Sequence, residues 1–176
     1  SLVNKIEWGS ITKHQVKLGF QKNKQGQKTT HFPRIPIIVE GDTLQMLFDT
    51  GAMAHLGVEA QKTLGKKAIG ASFIVQSIFN KWTQKHPEWQ VIKKGDVIWR
   101  NGRKLLEADM IQVPKVTIGG YEVGPVWFAS RREANFTQWM SKWMDQTIVG
   151  AVGGSCFQYF KTLVVDYNQE RAYFER

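Results

Sequence analysis

The stretch Leu47-Phe48-Asp49-Thr50-Gly51-Ala52 decides the reading of this chain. Two large apolar residues run into an acid, a hydroxyl, a glycine and a small residue, as in a buried strand that ends in a tight turn. A carboxylate that activates water needs such a seat: a rigid turn at a strand end, open to a cleft. Glycine permits the turn and lets another backbone approach closely. Threonine supplies a hydroxyl that can lock the loop. Asp, Thr and Gly are also ordinary turn residues, so the tripeptide alone fits a plain β-turn equally well.

The flanks add to it. Residues 35–40 contain the branched run Ile37-Ile38-Val39 and read as a strand, Gly41-Asp42 as a turn, and 44–48 as the returning strand. That hairpin delivers Asp49 at its far end. Further out, 16–20 reads as a strand, and 21–31, which lacks any apolar residue, as an exposed loop. Helices are predicted over 57–64, over 73–82 (Phe73, Ser77, Ile78 and Trp82 sharing a face, with Pro87 beyond), over 136–144, and as one turn at 157–160. Strands are predicted at 97–100, 105–113, 116–118, 121–123, 126–129, 163–167 and 171–174, with Gly119-Gly120 as a two-residue turn. The pattern is mainly β with a few short helices, consistent with one closed or strongly coiled sheet.

Ile148-Val149-Gly150-Ala151 has the form apolar–apolar–Gly and precedes a short helix and two strands. Together with Asp49-Thr50-Gly51-Ala52 it resembles the retropepsin-like aspartic proteases, single-lobe relatives of the retroviral enzymes. Ile118-Gly119-Gly120-Tyr121-Glu122-Val123 and Val164-Val165-Asp166-Tyr167 are similar to segments of bacterial members. The resemblance spans about residues 33–174, or a protease domain at 33–176 behind a basic arm at 1–32. The segment at about 66–108, with Phe79-Asn80-Lys81-Trp82 and His86-Pro87-Glu88-Trp89, reads as an insertion. The substrate-covering flap is placed between Val91 and Met110, around Asn101-Gly102.

The resemblance implies a closed acid-protease β-barrel, Asp49 as the catalytic residue, and Thr50, Gly51 and Ala52 as its loop support. It also implies that Ile148, Val149 and Gly150 pack behind the loop. No cofactor and no metal are implied, and the substrate is a peptide or protein. Hydrolysis by this route uses two carboxylates, one acting as base and one as acid. Asp42, Asp96, Asp109, Asp145 and Asp166 all lack a following Thr/Ser-Gly, so the dyad requires a homodimer in which Asp49 meets its twofold mate. A periplasmic or secreted location follows from the resemblance only. The alternative is a non-catalytic monomer of the same fold that binds peptides or envelope components.

The 176 residues suit one domain, and 42% hydrophobic with 22% charged residues excludes whole-chain disorder. Lys and Arg number 24 against 15 acids, a net +9. Seven of those cations and a single acid, Glu7, fall in residues 1–34, so this first stretch holds +6 and the other 142 residues +3. A basic arm on a nearly balanced domain gives no expectation of nucleic acid as a partner. No apolar run reaches the length of a transmembrane helix. Gly150-Ala151-Val152-Gly153-Gly154 lacks the Gly-Lys-Ser/Thr of a phosphate loop. His14, His31, His55 and His86 have no metal-ligand spacing, and Cys156 reads as a small buried residue. Trp139, Met140, Trp143 and Met144 read first as helix-on-sheet packing.

Overall fold

Branched residues at alternate positions build the central hairpin. In the structure, a computed structural model that describes residues 14–176, strand β1 (Gln15–Lys17) is followed by β2 (Arg34–Val39) and β3 (Asp42–Phe48). β2 buries Ile35, Ile37 and Val39 and leaves Ile38 exposed, the period of a strand with one face on the core. Glu40 and Gly41 both take positive φ, 52° and 85°, which a two-residue hairpin turn demands. Beyond Asp49 come β4 (Met53–His55), helix α1 (Val58–Leu64), β5 (Ala68–Gly70), β6 (Ser72–Val75) and helix α2 (Gln76–Lys85). The chain continues through β7 (Val91–Arg100), β8 (Arg103–Val113), β9 (Val116–Ile118), β10 (Tyr121–Val123) and β11 (Val126–Arg131). A π-helical turn at Asn135–Trp139 and a 3-10 turn at Met140–Trp143 precede β12 (Gly150–Val152), helix α3 (Gly154–Phe157), β13 (Thr162–Asp166) and β14 (Arg171–Glu175).

Nine strands form one sheet in the order β10-β9-β2-β3-β12-β6-β11-β8-β7. β12 lies between β3, to which it is parallel, and β6, to which it is antiparallel. β1-β14-β13 make a three-stranded sheet and β4-β5 a pair. The main core gathers Ile35, Ile37, Met46, Ile74, Phe128 and Phe174. α2 is tied to the β2–β3 turn by Lys81–Asp42 at 2.7 Å, Lys85–Glu40 at 2.8 Å and His86–Glu40 at 2.7 Å.

The chain is thus mainly β. Among the described residues, the sheet ends at β10 and β7, and no pairing joins those two strands into the expected closed barrel. The helix expected over 73–82 begins only at Gln76. Phe73, Ile74 and Val75 are strand, because β6 runs between β12 and β11 and Ile74 and Val75 are buried there. Residues 66–108, read as an insertion, supply β6 to the middle of the sheet. The described part of the basic arm is built into the body: β1 pairs with β14, Leu18 and Phe20 are buried, and Gly19 bridges to Arg34. Lys5, Glu7 and Lys13 of that arm lie outside the described residues.

Candidate active site

Asp49 leaves β3 at the point where β12 arrives beside it. Phe48 is in register with Val152, and the Asp49 N–H donates to the Val152 carbonyl at 3.0 Å. The turn then closes on itself: the Gly51 N–H donates to Asp49 Oδ1 at 3.0 Å and the Ala52 N–H to the Asp49 carbonyl at 3.2 Å. Ala52 is buried and accepts the Ala71 N–H at 3.0 Å. Asp49 is half-buried, while Thr50 and Gly51 are exposed. The loop offers one carboxylate at the surface with a fixed backbone beneath it.

A buried hydroxyl relay supports this floor. Gly153 N–H donates to Ser72 Oγ at 3.1 Å, Ser72 Oγ lies 3.0 Å from Ser155 Oγ, and Ser155 Oγ donates to the Trp127 carbonyl at 2.9 Å. Both serines are at most 2% exposed, so each hydroxyl needs the partners it has. Gly153 has extended backbone, φ −143° and ψ −153°. It is glycine for want of space: a Cβ there would lie 2.5 Å from Ala52 Cβ and 2.9 Å from the Asp49 carbonyl oxygen.

Of the seven residues expected at the site, the structure brings Asp49, Thr50, Gly51 and Ala52 together as one turn. Ile148, Val149 and Gly150 sit further up: Gly150 is in register with Met46 and Ile74, and the Val149 carbonyl accepts the Val75 N–H. Val152, Gly153 and Ala71 touch the Asp49 loop directly. Ser72 and Ser155 went unread. Their signal was a small hydroxyl residue inside otherwise apolar stretches, Ala71-Ser72-Phe73-Ile74 and Gly154-Ser155-Cys156-Phe157.

The other aspartates are engaged. Asp42 pairs with Lys81 at 2.7 Å, Asp96 with Arg131 at 2.6 Å, Asp109 with Lys93 at 2.8 Å and Asp145 with Arg34 at 2.8 Å. Asp166 Oδ1 accepts the N–H groups of Asn168 and Gln169. Among the described residues, Asp49 and Asp166 are both partly exposed with only their own turns as partners, and of the two Asp49 stands where β3 ends beside β12. His55 is exposed on β4, and its backbone N–H donates to Asp96 Oδ1 at 3.1 Å.

β7 and β8 make one long hairpin whose turn residues Asn101 and Gly102 have φ 50° and 72°. Trp99, Leu105 and Leu106 near its tip are exposed. A cavity of about 520 Å³ is lined by Ile98 and Leu105–Asp109 and by Ser130, Arg131, Arg132 and Asn135, and Asp49 does not line it.

No protein-family model matches the chain, and no curated protein matches it. Among solved structures it is similar to a retropepsin-like aspartic protease from Rickettsia conorii. The identity is 14%, 91% of this chain and 89% of that chain are covered, and the TM-score is 0.49.

Proposed function

We propose that the protein is a retropepsin-like aspartic endopeptidase in which Asp49 works as half of a carboxylate dyad. The observation that carries this reading is the seat of Asp49: a surface carboxylate at a strand end, with its backbone clamped to Val152, its Oδ1 held by Gly51 and, among the described residues, no cation paired with it. Two such carboxylates brought face to face cannot both ionise easily, so the pair holds one proton and titrates as a unit. One acid then takes a proton from water while the other gives one to the scissile carbonyl oxygen. A single chain carries only one such loop, so the second comes from another copy across a twofold axis. In that arrangement Thr50 braces the two loops, Gly51 lies against the substrate backbone, and the β7–β8 hairpin covers an extended peptide.

The test is an Asp49→Asn variant that keeps the wild-type melting curve. Peptide-bond cleavage is expected to fall by at least about a hundredfold, the scale of lost acid–base chemistry. Unchanged cleavage would remove Asp49 from the mechanism. A wild-type chain that cleaves nothing and stays monomeric at every concentration would instead support the non-catalytic reading.

A further inference from the structure

We propose that the face made by residues 21–32, the turns at 139–143 and the β13–β14 connection docks the protein on an anionic lipid bilayer. Three segments distant in sequence are tied into this one surface. Gln21 Nε2 donates to the Lys142 carbonyl at 2.8 Å, Thr30 Oγ1 to the Trp143 carbonyl at 2.8 Å, and Lys28 Nζ to the Tyr167 carbonyl at 2.8 Å. The His31 and Tyr167 rings meet at 6.5 Å. From this joined surface project four large rings in contact with water: Trp139 is 65% exposed, Trp143 55%, Phe32 46% and Tyr167 43%. So many exposed rings on one face call for a partner.

Charge identifies the partner. Residues 14–34 contain Lys17, Lys22, Lys24, Lys28 and Arg34 and no acid. The acids that reach them from elsewhere are Glu170, near Lys22 at 2.7 Å and Lys28 at 3.1 Å, and Asp145, near Arg34 at 2.8 Å. Lys142 lies over the Trp139 ring at 4.6 Å, so cation and aromatic ring are presented together. Tryptophan and tyrosine settle at the headgroup level of a bilayer, and lysine gains there from anionic phosphates. The rings stand on turns and loops, as needed to dip into an interface. A nucleic acid would need them in a groove. The adjoining groove of about 420 Å³ holds Lys17, Lys22 and Arg34 but also Asp145 and Glu170, and none of the four exposed rings. This inference is independent of the catalytic reading.

The experiment is co-sedimentation of the full chain with vesicles of phosphatidylcholine alone or mixed with phosphatidylglycerol, with tryptophan fluorescence read alongside. Binding to the mixed vesicles, with a blue shift and weakening in salt, is the expected result. Lys24→Glu with Lys142→Glu should lower partitioning by roughly thirtyfold. Trp139→Ala with Trp143→Ala should lower it by roughly tenfold. Both pairs are exposed, so melts matching the wild type are expected. Absence of binding to mixed vesicles overturns the proposal, as does equal binding by correctly folded variants. So does a variant effect confined to self-association or to binding of an oligonucleotide.

Discussion

Gly153 and Gly51 flank the same carboxylate and have opposite demands. A Cβ on Gly153 has no room between Ala52 and the Asp49 carbonyl, whereas at Gly51 it meets only Asp49 Oδ1 at 3.5 Å. Gly153→Ala should therefore cost about 1–3 kcal/mol through overpacking, and Gly51→Ala less than about 0.5 kcal/mol. Urea titration of the two variants checks the contrast. A large effect at Gly51 in the isolated chain would mean that its glycine serves the chain's own packing. Cys156 is fully buried, and burial pushes its thiol pKa up to about 12. An aromatic disulfide reagent should leave the native thiol untouched at neutral pH and titrate it fully in denaturant. At this scale the strand-end turn at Asp49 was legible, because acid, hydroxyl and glycine stand together after an apolar pair. The residues behind it were not. Ile148-Val149-Gly150 and Ala151-Val152-Gly153 share one pattern three residues apart, and only the parallel register with β3 distinguishes them.

Two polar clusters hold the elements in place. Asp96 on β7 is 2% exposed, pairs with Arg131 on β11 and accepts the His55 N–H from β4, while Arg131 lies 4.1 Å from the centre of the Phe73 ring. Asp96→Ala leaves a guanidinium with little water and no counter-charge, at a cost of about 3 kcal/mol in chemical denaturation. Adding Arg131→Met should restore part of that loss; no recovery would show that the acid matters mainly for the His55 N–H. At the end of α2, His86 lies 3.0 Å from Glu88 and 2.7 Å from Glu40 and stacks on Trp89 at 4.2 Å. Burial disfavours the imidazolium, but the two carboxylates outweigh it and hold the pKa above 6.5. The pKa of Glu40 is held below its ordinary 4.5, chiefly by Lys85, and that of Glu88 below the same value, chiefly by a backbone hydrogen bond and then by His86. The histidine contribution is complete below pH 6.5 and fades as pH rises through its raised value; the carboxylate contribution is complete above pH 4.5 and fades on acidification. The difference in melting temperature between wild type and His86→Gln should thus peak between pH 4.5 and 6.5. A difference independent of pH would assign His86 a packing role alone. The β2–β3 hairpin was legible from its branched alternation. β6 was not, since Phe73, Ser77, Ile78 and Trp82 also fit one helical face, and burial between two strands overrode that spacing. The start of β7 was hidden by Lys93-Lys94-Gly95-Asp96, where the register shifts and Lys94 takes φ 51°.

For the whole molecule, the charge imbalance has a different meaning once folded. From residue 14 onward the basic arm is structural, with Lys22, Lys28 and Arg34 anchored to Glu170 and Asp145. If two chains build the dyad, activity per chain should rise with concentration, and adding Asp49→Asn protein to wild type should depress it by forming mixed dimers. Additive behaviour in that mixing assay would refute a shared site. The order in which the molecule is built has its own consequence. The floor under Asp49 is closed by a hydrogen bond between groups 81 residues apart, Gly153 N–H and Ser72 Oγ, and β12 slots between strands made long before it. The second partner of such a contact leaves the ribosome well after the first. A ribosome-bound chain that has not yet released β12 therefore displays the Asp49 turn without its support. The turn is braced only after residues 150–155 have been synthesised.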